Sequence, residues 1–361
     1  MAEHGTVGLI GLGEIGLPMA SRLVQAGRPP VIILIEGWPL ERMAQAFDHG
    51  VDSLVVKPCH PRELVLTLHA LQRRARRIVC LGGGTGLYTM LLGLKTLPGV
   101  QLTSVVSMSD DGGSSGRLRE DFGVLPPGDV RRSLVALSTA PALLNDLMSY
   151  RFEAGDGLKD HNLGNLLLLA MDQLKGSMAE AVRSMGDILG ISGIVLPVTT
   201  KVNTLHARLD DGRVIRGEHH IDVPSGDGRA TARIVELWQE PAPDANPNAL
   251  AAILSADLIV LGPGDLFTSV IPNLTVKGIR EAIAQSAGRR LYVCNLMTKP
   301  GETSGFNAID HVREVVRYLG EDVLDGVLVA NTRFSASAIE RYERNGQVPV
   351  RLTDPDALHG V

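Results

Sequence analysis

Aromatic residues are scarce, with Phe, Tyr and Trp together making up 4% of 361 residues. So thin a supply excludes a base-stacking platform for single-stranded nucleic acid. Cysteine is scarcer still: Cys59, Cys80 and Cys294 lie far apart in apolar runs. An odd, dispersed set excludes a disulfide framework. Without CxxC or Cys/His spacing it also excludes a structural zinc site. Buried free thiols in a reducing compartment are the expectation. No apolar run approaches the ~18–20 residues that span a bilayer, and no basic stretch with an apolar segment behind it opens the chain. A cytoplasmic protein without a membrane partner is expected. Charge of one sign is lacking too. The net charge is -5, and the densest basic stretch, Arg73-Arg74-Ala75-Arg76-Arg77, reads as a junction. Neither nucleic acid nor an anionic membrane is therefore the expected partner.

Glycine is what the chain has in abundance: 40 residues, mostly in loops with strand-like flanks. At 44% hydrophobic and 21% charged, the composition is that of an ordinary globular protein with ample core. The pattern divides at the arginine cluster. Residues 1–76 read as β-α-β-α-β-α, a partial Rossmann-like or receiver-like unit. Strands are expected at Val7–Ile10, Val31–Ile35 and Ser53–Val56, and helices at Leu17–Gln25, Leu40–His49 and Glu63–Arg74. Gly11, Gly13 and Gly16 stand between the first strand and helix, and Glu36 ends the second strand. Such glycines let backbone N–H groups approach a pyrophosphate at a helix N-terminus, while the acid would hold ribose hydroxyls. GLIGLGEIGLPMA resembles the opening of the β-hydroxyacid and 6-phosphogluconate dehydrogenases. GVDSLVVKP, with Lys57-Pro58, resembles the second half of a receiver domain. A degenerate or regulatory unit is the bland alternative to a working nicotinamide site.

Residues 77–361 read as a Rossmann-like, doubly wound, mainly parallel α/β domain with a β-rich insertion at about 194–240. Its glycine and amide loops follow strands. Gly82-Gly83-Gly84-Thr85-Gly86 follows Ile78–Leu81 and opens a helix, a cradle for phosphate. A long polar loop, Asp110–Gly123, follows Leu102–Met108. There Asp110 and Asp111 are candidate ligands of Mg²⁺ or ribose, and Gly112, Gly113, Ser114, Ser115 and Arg117 of phosphate. Asp129 in Pro126-Pro127-Gly128-Asp129 is a plausible helix N-cap. In Asp160-His161-Asn162-Leu163-Gly164-Asn165, His161 is either an acid/base or a capping residue, and Asn162 and Asn165 are candidate ligand contacts. Gly262, Gly264, Asp265 and Thr268 follow Leu258–Leu261, and Asn295 and Thr298 follow Leu291–Cys294. Four such loops at the carboxyl ends of parallel strands are expected to converge on one edge.

These motifs carry a family resemblance. GGGTGLYTMLLGLK, SMSDDGGSSGRLRED, PPGDVRRSLVALS, HNLGNLLL, ADLIVLGPGDLFTSVIPNL and VCNLMTKPGET resemble, in order and context, the YvcK-type gluconeogenesis factors of the CofD-like superfamily. The resemblance covers about Arg77 to Ala330. It implies a regulatory protein that binds UDP-N-acetylglucosamine or another nucleotide, linking carbon metabolism to cell-wall precursors and cell shape. The transferase branch of the superfamily implies the alternative, an Mg²⁺-dependent 2-phospho-L-lactate transferase acting on a deazaflavin precursor, with Asp110, Asp111 and His161 as catalytic candidates. A regulatory protein and a second copy of the chain are expected as partners. An arginine-histidine-aspartate stretch that family members carry beyond the equivalent of Val348-Pro349-Val350 has no counterpart before Val361.

Overall fold

The computed structural model describes residues 8–11, 31–48, 51–56, 66–67, 75–223, 232–331 and 334–353. Three short strands, β1 (Gly8–Gly11), β2 (Val31–Ile35) and β3 (Ser53–Val56), pair in parallel in that order, with helix α1 (Leu40–Asp48) between the last two. The expected helices Leu17–Gln25 and Glu63–Arg74 lie outside the described residues but for 66–67, and Cys59 and Lys57-Pro58 lie wholly outside them.

The main domain opens with β4 (Arg76–Gly82), α2 (Gly84–Leu94), β5 (Val100–Val106), α3 (Gly113–Phe122), α4 (Gly128–Leu137), α5 (Ala142–Ser149), α6 (Leu163–Lys175), α7 (Met178–Ile188) and β6 (Ile194–Pro197). An antiparallel unit interrupts it: β7 (Thr204–Leu209), β8 (Val214–Arg216), a one-turn helix α8 (Glu218–Asp222) and β9 (Ile234–Glu240). The domain resumes with α9 (Pro247–Leu254), β10 (Leu258–Leu261), a π-helical turn Leu266–Val270, α10 (Ile271–Leu274), α11 (Ile279–Gln285) and β11 (Arg289–Val293). It closes with α12 (Ala308–Leu319), β12 (Gly326–Leu328) and α13 (Ala336–Glu343).

Six strands form one wholly parallel sheet in the order β12-β11-β10-β4-β5-β6. The chain winds outward from β4 through β5 to β6, then crosses back and winds outward on the other side from β10. The strand order therefore reverses between β4 and β10, and the loops that leave these two strands part there and leave a crevice. Ile78–Gly82 and Leu102–Val106 are buried without interruption, as central parallel strands covered on both faces require.

Two sequence expectations change. Ile194–Pro197 belongs to the parallel sheet through β5, so the antiparallel insertion begins only at Thr204. The polar segment after Asp110 is largely helical: α3 covers Gly113–Phe122, and Gly123 ends it in a left-handed conformation (φ 65). Gly-Ser-Ser-Gly is a poor helix start on intrinsic preference, but burial of Ser114, Ser115 and Leu118 holds the turn.

The free edge of β9 is covered by α12. The Leu237 N–H donates to Tyr318 Oη at 2.8 Å, and the Arg317 guanidinium donates to the Val235 carbonyl. An edge dressed in this way offers no open ladder to another strand. The Gln239 amide reaches the Pro272 carbonyl at 2.6 Å and Thr275 Oγ1 at 2.8 Å, pinning β9 to α10. Helix α9 packs on β6 of the large sheet and also on β3 of the small one.

Candidate functional site

At the crevice between β4 and β10 lies a cavity of about 410 Å³. Its floor is two glycine loops in close contact. A Cβ on Gly86 would lie 2.5 Å from the Pro263 carbonyl oxygen, and one on Gly83 would lie 2.5 Å from Asp129 Oδ2. Only glycine permits both approaches. Gly84 and Thr85 open onto the cavity at the start of α2, where the helix dipole favours an anion.

One wall is cationic. Arg131, Arg132 and Arg151 line it. Arg131 is held in place: its Nε donates to Asn165 Oδ1 at 2.9 Å and Nη1 to the Met148 carbonyl at 3.3 Å. Burial, and then the neighbouring Arg132 and Arg151, push the Arg131 guanidinium down to about 10, so it remains a cation at neutral pH. The network continues inward. Ser114 Oγ accepts from the Asn162 N–H and from Asn165 Nδ2, each at 3.2 Å, which fills both lone pairs. Its own hydrogen is left for His161 Nδ1, also at 3.2 Å, and this places the imidazole proton on Nε2. Burial lowers the His161 pKa, so the ring is neutral near pH 7.

Acidic side chains line the same cavity. Asp110, Asp129, Glu218, Asp222 and Asp265 all reach it, from four separate segments of chain. Asp129 is not the cap of α4; it is the second residue of that helix, whose N-terminus carries no side-chain cap. Its carboxylate accepts from Arg132 Nη1 at 3.0 Å and from the Gly84 backbone. Burial and the nearby Asp110 push it up to about 6, against the pull of Arg132. Glu218 is pushed further, to about 10, by burial and then by Asp110, Asp222, Asp111 and Asp129. Near pH 7 it carries a proton. Lys299 answers part of this charge, with Nζ 2.6 Å from Asp222 Oδ1 and 2.9 Å from Asp265 Oδ2.

The cavity thus gathers Gly84, Thr85, Asp110, Gly112, Gly113, Ser114, Ser115, Asn165 and Asp265 from the residues expected on sequence. Others serve the frame. Asn162 caps α6 through the Asn165 N–H, and Asn295 Oδ1 accepts the Gly264 N–H at 3.0 Å. Thr268 donates to Glu302 Oε1 at 3.0 Å, and Thr298 Oγ1 accepts from the Val348 N–H at 3.0 Å. Gly262 takes a positive φ of 77 next to Pro263. Arg117, expected to clamp phosphate, is exposed and donates to the Lys159 carbonyl at 2.9 Å. Gly11 ends β1 and Glu36 is exposed beyond β2, while Gly13 and Gly16 lie outside the described residues.

The carboxylate pair expected to hold Mg²⁺ is split. Asp111 Oδ1 and Oδ2 accept the N–H groups of His219 and Glu218 at the start of α8, at 2.6 and 3.1 Å, while Asp110 faces the cavity. The two side chains do not fit a chelating pair. Sequence reasoning missed Arg132, Arg151, Glu218, His219, Asp222, Ser269 and Lys299 as lining residues. Arg132 had a signal, one position beyond Arg131 in PPGDVRR. Ser269 and Lys299 lie within the quoted loops after β10 and β11 without being singled out, and Arg151, Glu218, His219 and Asp222 come from segments with no motif read for the site.

The family model described as 2-phospho-L-lactate transferase CofD matches residues 78–359. Among proteins described as gluconeogenesis factors, that of Halalkalibacterium halodurans is 43% identical over 279 residues, covering 77% of this chain and 84% of its own. That of Bacillus subtilis is 40% identical over 275 residues, covering 76% and 84%. A relative so described in Nostoc sp. is 45% identical over 325 residues, 89% of this chain and 70% of its own. The Nostoc match is longer than the main domain, so it reaches into the N-terminal unit. A crystal structure of a Bacillus halodurans protein aligns with a TM-score of 0.75 at 42% identity, covering 79% of this chain and 90% of that one.

Proposed function

This chain belongs to the CofD family, among its gluconeogenesis factors of YvcK type, and on that premise we propose that it is a regulatory protein whose switch-point cavity binds a UDP-sugar or related nucleotide. Through that ligand it links carbon metabolism to the supply of cell-wall precursors and so to cell shape. We place it in the cytoplasm, acting as a homodimer with a regulatory protein partner. No described helix is long and apolar enough to cross a membrane.

The observation that carries this reading is the mixed lining of the cavity. A helix start and three arginines, suited to a diphosphate, line it together with a protonated Glu218, suited to sugar or ribose hydroxyls. About 410 Å³ is within the usual range for a small-molecule site. The alternative, an Mg²⁺-dependent transferase of the phospholactate type, is supported by the family description. The split of Asp110 from Asp111 weighs against the metal pair it would use. Thermal shift separates the two. Stabilisation by UDP-N-acetylglucosamine in EDTA supports the regulatory reading, and stabilisation by GDP only with Mg²⁺ supports the transferase. No response to any nucleotide would remove both.

A further inference from the structure

Three carboxylates at the acidic end of the cavity are brought together from distant segments. Asp222 ends α8, Asp265 leaves β10, and Glu302 lies in the loop after β11; one oxygen of each lies within 4.8 Å of the others. Such spacing normally gathers around a cation, and here a cation is present as part of the chain. Lys299 Nζ bonds Asp222 at 2.6 Å and Asp265 at 2.9 Å, with only 21% of its side chain exposed. It is not a loose surface lysine. Its own N–H is held by Thr303 Oγ1 at 2.8 Å, and its carbonyl accepts from the backbone of Glu302 and Thr303 at 3.1 and 2.8 Å. Glu302 is 4% exposed, and its two oxygens are taken by Thr268 Oγ1 and the Phe267 N–H.

We infer that Lys299 is the resident cation of this acidic end, standing where a divalent ion would stand, so that the cavity accepts an anionic ligand without metal. The electrostatic need is plain. Asp110 and Asp129 line the same cavity, and an incoming diphosphate adds negative charge in a partly desolvated space, where like charges repel strongly. Burial works against a charged Lys299, yet Asp265, Asp222 and Glu302 hold its ammonium above the usual lysine range. A covalently tethered ammonium supplies the charge at every metal concentration. A Mg²⁺ ion would need an octahedral set of oxygens with several waters. The cavity ligand in this inference is that of the proposed function, while the cation's identity is open to test without it.

The test is Mn²⁺ titration followed by electron paramagnetic resonance on the full chain. Wild type should leave Mn²⁺ free, whereas Lys299→Ala and Lys299→Met should each take up about one ion per chain, at least tenfold more tightly, as the freed carboxylates of Asp222 and Asp265 supply oxygen ligands. Adding Asp265→Asn to Lys299→Met should abolish that uptake. Tight Mn²⁺ binding by wild type would overturn the inference, as would folded Lys299 variants that bind no better. In a second arm, the wild-type thermal shift with UDP-N-acetylglucosamine should be the same in EDTA and in Mg²⁺. A shift that needs Mg²⁺ would also overturn it. If no nucleotide binds at all, the proposed ligand fails and the Mn²⁺ arm still decides the role of Lys299.

Discussion

Asp111 Oδ1 accepts the backbone N–H of His219 at 2.6 Å, across 108 positions of sequence. With Oδ2 on the Glu218 N–H at 3.1 Å, one carboxylate satisfies the first turn of α8, a helix that carries no cap of its own. The second aspartate of DDGG thus ties the antiparallel unit to the main domain, and the first is left to the cavity.

The two aspartates should therefore separate on substitution. Asp111→Ala should cost ~1–2 kcal/mol, the worth of a lost helix cap, and lower the apo melting temperature by ~1–3 °C. Asp110→Ala should leave apo melting unchanged and reduce the nucleotide response. Differential scanning fluorimetry with and without UDP-N-acetylglucosamine reads both. Equal apo losses for the two would refute the division.

Glu218 predicts a pH dependence of defined sign. Its folded pKa is raised, to about 10, so the native state holds a proton that the unfolded chain releases near pH 4.5. The stabilisation is complete below that pH and is lost as pH rises toward 10. Glu218→Gln keeps a neutral side chain at every pH. Its melting temperature should match wild type at pH 4 and exceed it by several degrees at pH 9. Parallel pH profiles would show that Glu218 is not held protonated.

Two glycines in one helix should respond oppositely to alanine. In α2, Gly86 faces the Pro263 carbonyl at 2.5 Å from an added Cβ, while Gly93 has nothing within 4 Å. Gly93→Ala should raise stability by ~0.5–1 kcal/mol, the helix preference of alanine over glycine. Gly86→Ala should lower it by ~2 kcal/mol or more, since backbone has to give way. Urea midpoints measure both, and a neutral Gly86→Ala would show that the two glycine loops are not in firm contact.

Arg131 and Arg132 should differ in kind. Arg132→Ala removes a half-exposed cation paired with Asp129 and should weaken nucleotide binding ~10-fold while flattening its salt dependence. Arg131→Met removes the anchor of Asn165 and through it the Ser114–His161 pair, so binding and apo stability should fall together. Isothermal titration at two salt concentrations, beside melting curves, distinguishes them.

The parallel sheet was legible because buried parallel strands are continuous apolar runs: Leu258–Leu261 appears with the boundaries expected from sequence. The glycine loops were legible for the reason that makes them work, a local backbone need. Helix α3 was not, because Gly113-Ser114-Ser115-Gly116 reads as a turn until Ser114 meets His161, 47 positions away. The acidic lining was not legible either. Glu218 stands among ordinary surface-like residues and Lys299 in a loop read for its amide and hydroxyl, and only the meeting of α8 with the β10 and β11 loops brings them to one cavity. Strand order, and with it the crevice, is a property of crossovers rather than of any residue pattern.

Helix α9 has a practical consequence for anyone who wishes to shorten this protein. Its buried Ala249, Ala251, Ile253 and Leu254 serve two sheets at once, and Asn246 Nδ2 moors its start to the Pro197 carbonyl at 3.0 Å. A chain trimmed back to Arg76 would retain every residue of the cavity. It would also present the flank of α9 that β3 now covers as bare hydrocarbon to the solvent. The deficit of such a fragment would show first as precipitation on storage.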